Sequence, residues 1–272
     1  MDICKTKYPI LLVHGTGFRD RKRFGYWGRI PKTLQNHGAY IFYGHQDSWG
    51  TIEHNAYIVR SHLIQYLQET DCDKVNIVAH SKGGIEARYL ISTLNCSSMV
   101  ASLTTVSAPH HGSKTMDIIN RMPKILLRLV SVFVNIWFKI LGDSRPDFHT
   151  ACYQFTTEYM RSFNTKNPDA PDVYYQSYAT IMKNPFSDIL MFFPNLVVNW
   201  IEGENDGLVT PHSASWANFK GTWKGCTSRG ISHADSVDLR RRKFSKKTSD
   251  DGVSDICDCY VDIISNLKNM GL

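Results

Sequence analysis

Apolar positions along the chain fall into two alternating patterns. Apolar runs bounded by turn residues occur at residues 9–13 (PILLV), 40–43, 75–79 (VNIVA), 103–106 and 173–178. Runs of this length predict strands buried on both faces. Between them, residues 52–69 repeat Ala56, Val59, Leu63, Tyr66 and Leu67 at helical spacing. Residues 84–94 do the same, and residues 255–267 carry Ile256, Tyr260, Ile263, Ile264 and Leu267 on one face. Buried strands alternating with helices predict an α/β fold with a mostly parallel sheet of about six strands and helices on both faces. No repeat or low-complexity linker interrupts residues 1–272, so a single domain is expected.

One stretch breaks this rhythm. From Ser113 to about Phe163 no strand pattern appears, and "IINRMPKILLRLVSVFVNIWFKIL" is apolar around most of a helix. Ile118, Met122, Ile125, Leu129, Val132, Ile136 and Ile140 form one stripe; Leu126, Val130, Phe133, Trp137 and Leu141 form a second. Two apolar faces need two burial partners, or one that comes and goes. The segment reads either as an extra core helix or as a lid, inserted at about 113–165, over an apolar pocket. Its longest charge-free stretch, residues 129–138, is too short to span a bilayer.

Composition changes this picture little. Hydrophobic residues at 42% and charged residues at 21% leave material for a sizeable core. Much of the net charge of +6 sits in "RRRKFSKK" from Arg240 to Lys247, which reads as a solvated loop before an anionic-surface patch. No aromatic interleaving or nucleic-acid motif accompanies it, so nucleic acid is not an expected partner. The seven cysteines at 4, 72, 96, 152, 226, 257 and 259 lack metal-finger spacing. An odd count of reduced thiols leans towards a reducing compartment. With a polar start instead of a signal peptide, it favours the cytoplasm unless a leader has been removed.

Candidate chemistry concentrates at "AHSKG", residues 79–83, which follows a predicted strand and precedes a predicted helix. A small residue, then a serine between two further residues, then glycine is the pattern of a nucleophile elbow, and the flanking elements are its test. Ala79 stands where glycine is more usual, while Gly83 and Gly84 let the helix pack closely. The turn lifts the Ser81 hydroxyl to a helix N-terminus, where free amides favour developing negative charge. A nucleophilic serine needs oxyanion donors. The amide of Lys82 is one, and the amide of Thr16 in "LLVHGTGF" is the other. His14-Gly15 also fits an ordinary strand-ending turn.

The serine needs a base and an orienting acid in the chain order Ser, Asp, His. "ENDGLVTP" offers Asp206 and "GISHADSVD" offers His233. His212 follows Asp206 too soon and reads as a surface histidine, and His149 precedes the acid. His80 is expected to pack beneath the elbow; His110 and His111 are expected to line or buttress the site.

With these residues in hand, the chain resembles the bacterial triacylglycerol lipases typified by the secreted Pseudomonas and Burkholderia enzymes. "KTKYPILLVHG", "DKVNIVAHSKGGIEARYL", "VASLTTVSAPHHGS", "PDVYYQSYA", "ENDGLV" and "SHAD" carry the resemblance, in the same order and over most of the chain. It implies an α/β-hydrolase core, a helical lid after "PHHGS", a Ser81–Asp206–His233 triad and oxyanion donors at Thr16 and Lys82. An acyl pocket is expected from His14, Phe18, His110, Leu126, Val130, Phe133 and Leu208. No cofactor is expected to be required for the chemistry. The resemblance also implies a structural calcium near the catalytic histidine. Asp235 matches one carboxylate, but Asn184 stands at the other, with Asp188 four residues on in "KNPFSDIL". A hard cation wants charged oxygens, so the amide leaves calcium open, and Asp235 also reads as a cap or a surface carboxylate. "TPHSAS" lacks the cysteine with which many secreted members form a disulfide.

The expected activity is hydrolysis of acylglycerol or other medium- or long-chain acyl esters through an acyl-enzyme, with transient contact at a lipid–water interface. A polyesterase, thioesterase or acyltransferase would use the same triad, and a catalytically retired binding protein is the non-enzyme alternative. Oligomeric state leaves no mark in the sequence.

Overall fold

The computed structural model describes residues 2–21, 25–245 and 252–272. Six strands, β1 (Ile10–Val13), β2 (Ile41–Tyr43), β3 (Val75–His80), β4 (Val100–Val106), β5 (Tyr174–Thr180) and β6 (Asn218–Trp223), form one sheet. Their order is β2-β1-β3-β4-β5-β6 and every neighbouring pair is parallel. Parallel neighbours need long crossovers, which here are helical. The helices are α1 (Ile30–Asn36), α2 (Ile52–Thr70), α3 (Lys82–Ser92), α4 (Lys114–Asn120), α5 (Lys124–Ile140), α6 (Phe148–Tyr153), α7 (Thr157–Lys166), α8 (Phe192–Glu202), α9 (Pro211–Ala214) and α10 (Ile256–Asn269).

Strand side chains alternate between faces, and both faces of this sheet are covered. Ile10, Leu12 and Val78 pack with Trp27, Ile30, Tyr260 and Ile264 on the side of α1 and α10. Leu11, Val13, Ile77 and Leu103 pack with Val59, Leu63 and Leu90 on the side of α2 and α3. That double burial is why the strands read as continuous apolar runs.

Five strands fall where the apolar runs place them, with ends shifted by up to three residues. The sixth, β6, carries no such run. It is an edge strand, partly exposed along its length, and Gly221 takes φ of 114° beside a register shift between Ser177 and Ala179. Edge strands need only a half-apolar sequence, so NFKGTW gives little signal.

The strandless segment is four helices, α4 to α7. The long apolar pattern does not make one helix: Met122-Pro123 divides α4 from α5, and Pro123 is extended, with ψ of 124°. Proline restricts the residue before it and donates no hydrogen bond, which ends the first helix there. Neither apolar stripe of α5 is buried. Its contact face is a third, narrower one, on which Ser131 is buried and Phe138 meets Trp49.

The helix that follows β3 comes unusually close to the sheet. A Cβ at Gly83 would lie 2.4 Å from the carbonyl oxygens of Val13 and His14, and one at Gly84 would lie 2.7 Å from the Ala108 Cβ. Gly83→Ala must therefore push α3 off β1. Overpacking of this sort costs about 1–3 kcal/mol, and urea denaturation of the variant is expected to show a loss in that range. A midpoint equal to the parent's would contradict the close approach.

Candidate active site

Ser81 sits between β3 and α3 with φ 54° and ψ −129°, a left-handed conformation rare for a residue with a Cβ. The Ser81 amide donates to the Val106 carbonyl at 3.0 Å, and the Ser81 carbonyl accepts from Gly84 at 3.0 Å, so the turn is held from both sides. The loop after β1 closes over it. A Cβ at Gly15 would fall 2.7 Å from the Ser81 Cβ and 2.6 Å from the Tyr26 hydroxyl, so only glycine lets Thr16 come this near. Among the described residues Ser81 Oγ has no hydrogen-bonding partner. Ser81 and Thr16 line a cavity of about 330 Å³ whose wall is mostly apolar. Lys82, the first residue of α3, places its amide where no intrahelical acceptor exists. Its side chain turns inward to a buried ion pair with Glu86, which Asn55 also holds at 2.7 Å.

Asp206 and His233 meet. His233 Nδ1 donates to Asp206 Oδ2 at 2.9 Å, and the His233 amide donates to the Asp206 carbonyl at 2.6 Å. Two bonds between the same two loops fix the ring and its backbone together. Asp206 Oδ2 also accepts from Thr180 at the end of β5, at 3.1 Å, while Oδ1 accepts from the amides of Leu208 and Val209 at 3.1 and 2.9 Å. Burial alone would raise this carboxyl. The facing imidazole and the two amides outweigh it and hold the pKa below the ordinary carboxylate value.

His80 lies beneath the elbow, its ring 4.4 Å from that of His233. Ser236 Oγ donates to the His233 carbonyl at 2.7 Å, so it accepts from His80 Nε2, also at 2.7 Å. His80 Nδ1 is then the acceptor for the Tyr26 hydroxyl at 2.6 Å. This chain requires the neutral ring. Burial, with His233 adding to it, pushes the His80 pKa well below its ordinary value.

The expected pocket residues divide. Leu208 lines the cavity. Leu126, Val130 and Phe133 do not: all three are on the exposed side of α5. The stripe pattern shows that they are apolar but not which neighbour they meet. His14 is buried outside the cavity, its ring nitrogens 2.7 and 3.1 Å from the carbonyls of Gly15 and Gln46. It braces the Thr16 loop from below. Phe18 is 46% exposed and also lies outside the cavity wall. His110 is fully buried, hydrogen-bonded to Thr105 at 2.9 Å and stacked on Trp216. It buttresses the loop after β4, and burial beside Arg88 lowers its pKa well below normal. His111, His149 and His212 are exposed.

The walls come instead from α4 and α6, other parts of the expected insertion at 113–165, and from α8, which the sequence reading did not assign to the site. Met116 and Ile119 of α4, Cys152 and Phe155 around α6, and Phe193 and Val197 of α8 close the cavity. The signal for α8 was present in FFPNLVVNWIE, an apolar run without a strand's turn boundaries. Cys152 is no rival nucleophile, because burial pushes its thiol up to about 12. All seven cysteines are free.

The three calcium candidates do not form a cage. Both Asp235 oxygens are taken by Arg240, Asp188 accepts from Ser232 at 2.6 Å, and exposed Asn184 turns its amide to the Ser228 carbonyl at 3.4 Å. Among the described residues, no three His, Cys, Asp or Glu side chains converge closely enough to hold a metal ion. The basic run is also less solvated than its sequence implies. Arg240 pairs with Asp235, Arg241 donates to Gly25 and Leu239 carbonyls, and Lys243 lies 3.7 Å from Asp255; Lys246 and Lys247 fall outside the described residues.

Comparison with known proteins agrees with this geometry. The sequence profile of the palmitoyl protein thioesterase family matches residues 9–241. The chain belongs to that family of α/β hydrolases. It is also 30% identical over 258 residues to triacylglycerol lipase 2 of Saccharomyces cerevisiae, covering 90% of this chain and 74% of the yeast protein. A Burkholderia plantarii triacylglycerol lipase is 30% identical over 61% of this chain and 49% of its own length. The chain thus spans about half of that bacterial enzyme and three quarters of the yeast one. Among solved structures, a metagenomic carboxyl esterase superposes with TM-score 0.73 at 15% identity, covering 97% of this chain and 76% of its own. A Bacillus licheniformis lipase superposes with TM-score 0.64 at 22% identity, covering 86% and 88%. The α/β-hydrolase fold is therefore established, and the enzyme is an ester hydrolase of the lipase/esterase kind.

The two buried neutral histidines give a pH signature. Their folded pKa values lie below the unfolded value of about 6.5, so the unfolded chain binds more protons below that pH, and stability falls as pH drops. Each contributes a slope of up to about 1.4 kcal/mol per pH unit. Asp206 acts lower: its stabilisation is complete above the ordinary carboxylate pKa and is lost as pH falls through its depressed folded value. Urea midpoints between pH 7.5 and 5 are expected to fall steadily, and less steeply in His80→Asn. Parallel slopes for parent and variant would refute the neutral assignment of His80.

Proposed function

We propose that this enzyme cleaves medium- or long-chain acyl esters through a covalent acyl-enzyme on Ser81. The observation that carries the reading is the strained serine opening on an apolar cavity beside an Asp206–His233 pair. His233, held in one tautomer by Asp206, removes the Ser81 proton as the oxygen attacks the carbonyl carbon. The carbonyl electrons move to an oxyanion that the Thr16 and Lys82 amides receive. Collapse expels the alcohol, protonated by His233, and water activated by the same ring releases the acid. In this reading the Ser81–His233 hydrogen bond, absent from the ligand-free site, forms when substrate is bound, as catalytic contacts in such sites commonly tighten on binding.

The apolar surface beyond the cavity supports a lipid–water interface as the working environment. Ile125, Leu129, Phe133 and Ile140 of α5 are 65–74% exposed. Phe193 and Trp200 of α8 stand out on the element that forms the other wall. Helix α5 carries Lys124, Arg128 and Lys139 and no acid. An apolar face with only basic charges suits an anionic lipid monolayer. In this reading triacylglycerol, the substrate in the relatives' names, reaches Ser81 from that surface, and α4–α7 is the lid insertion.

Thioester cleavage is a second reading, favoured by the family profile. It has a distinct chemical consequence, because a thiolate leaves without the proton that an alkoxide needs. Loss of His233 would then cost oxyesters more than thioesters.

Ser81→Ala is expected to lower kcat about 10⁴- to 10⁶-fold on long-chain p-nitrophenyl esters, with circular dichroism unchanged. Activity within tenfold of the parent would remove Ser81 from the mechanism. A panel of triacylglycerol, palmitoyl oxyester and palmitoyl thioester at matched concentration decides between the two readings.

For the surface, the combined Leu129→Ser, Phe133→Ser and Ile136→Ser variant is expected to sediment less with phosphatidylglycerol vesicles and to lose activity on emulsions. Its rate on a short soluble ester should match the parent's. Equal vesicle binding by parent and variant would rule out α5 as the docking face.

A further inference from the structure

The loop that carries His233 is braced on its outer side by a charge cluster with its own logic. Arg240 Nε donates to Asp235 Oδ1 at 2.6 Å, and Nη2 donates to Oδ2 of the same carboxylate. Arg240 Nη1 reaches across to the Ser187 carbonyl at 3.3 Å. Arg229 donates to that carbonyl as well, through Nε at 3.0 Å and through Nη2. Beside them Ser232, adjacent to His233, gives its hydroxyl to Asp188 Oδ2 and receives the Asp235 amide at 3.0 Å. Asp188 and Asp235 are both buried, whereas the Arg240 side chain is a quarter exposed.

This is where the resemblance to lipases implies a calcium ion, and the donor set refuses one. Calcium takes six to eight oxygens. Here the two in-plane sites of Asp235 face a guanidinium fork, and N–H donors from two guanidinium groups converge on the one carbonyl oxygen. A divalent ion at either place would sit against positive charge. We infer that Arg240, seconded by Arg229, is the resident cation of this site. The guanidinium joins the segment after β5 to the His233 loop and sets the imidazole's position without a metal.

The chemistry explains why arginine can do this. Its planar fork matches a carboxylate bidentately, and its third nitrogen remains free to reach a second element. Lysine offers a single point charge and could not hold Asp235 in the same plane while also reaching Ser187. Arg240 is a positioning residue, since it acts on the reaction only through the loop that bears His233.

Thermal unfolding and kinetics on the full chain test the assignment. The parent's Tm should stay within about 1 °C in EDTA, in buffer alone and in millimolar calcium chloride, and calorimetric titration with calcium should give no binding heat. Arg240→Gln is expected to lower Tm by about 2–4 °C and kcat by about tenfold to a hundredfold, with KM little changed. Arg240→Lys should recover less than half of either loss. A parent Tm that falls on chelation and returns with calcium would overturn the proposal, as would an Arg240→Gln variant with parental Tm and kcat. If that variant does not fold, Arg229→Gln, which removes only the second clamp on Ser187, should show a smaller Tm loss insensitive to calcium; a calcium-restored Tm there would again overturn it. The kcat measurement rests on the catalytic reading of His233. The Tm and calcium measurements do not, so a wrong triad and a wrong clamp fail in different experiments.

Discussion

A side chain with a Cβ is held in left-handed backbone at Ser81, and much of the surrounding structure exists to keep it there. Such a residue costs about 1–3 kcal/mol and persists only where its neighbours over-determine it. At this turn they do so through space that has been removed. Gly83 and Gly84 let α3 touch β1 and the loop after β4, and Gly15 lets the Thr16 loop settle over the serine. The Lys82–Glu86 pair then ties the first turn of α3 inward, with Asn55 of α2 as the third partner. Burying an ion pair is rarely a net gain in stability. Here the pair links the first turn of α3 to α2 through three buried side chains.

A nucleophile's base must come from elsewhere in the chain, and long loops are poor at holding position. The loops bearing Asp206 and His233 gain rigidity by bonding to each other through backbone and side chain together, and then to the elbow through His80. The Tyr26–His80–Ser236 relay works in only one protonation state. The price is a buried imidazole that must stay neutral. Further out, Arg29 grips Asp238 and Asp255 at 2.7 to 3.0 Å, joining α1, the end of the His233 loop and α10. Cationic side chains thus bracket the loop on two sides, and each bridges elements that sequence separates widely.

What could be read from the sequence follows from which forces are local. Strands β1, β3, β4 and β5 announce themselves because both faces of the sheet are covered, so most positions are apolar or small. The elbow is legible because its residues are contiguous and its strain demands particular neighbours. The acid and the histidine lie in separate loops, but each sits in a short motif whose order along the chain carries information. Edge strand β6 was not legible, since one covered side and one neighbour ask little of its sequence. The cavity walls were misassigned for a related reason. Whether Phe133 or Phe193 meets the serine depends on where the chain bends at Pro123 and how α4 docks on α8. Periodicity records neither. His14 and His110 looked like pocket residues because they are polar and near the motif; only the packed structure shows that their hydrogen bonds point into the frame.

The apolar circumference of α5 shows the same limit from another side. A stripe of leucine and isoleucine states that water is a poor neighbour and says nothing about which better neighbour takes its place. In a helix buried by protein, the charged residues would gather on whatever face remained. In α5 the buried face is the narrow one around Ser131, and the broad apolar face is outside with lysine and arginine near its margins. Exposing that area to water is costly, at about 25 cal/mol for each Å². A chain under no other demand would replace those residues with polar ones at no loss to its core. Their retention as large side chains, on an element that adjoins one wall of the serine's cavity, fits a medium that is not water during turnover. On the proposed reading, an acyl chain in the cavity and a lipid surface against α5 would be parts of one phase, and substrate could enter without ever crossing solvent.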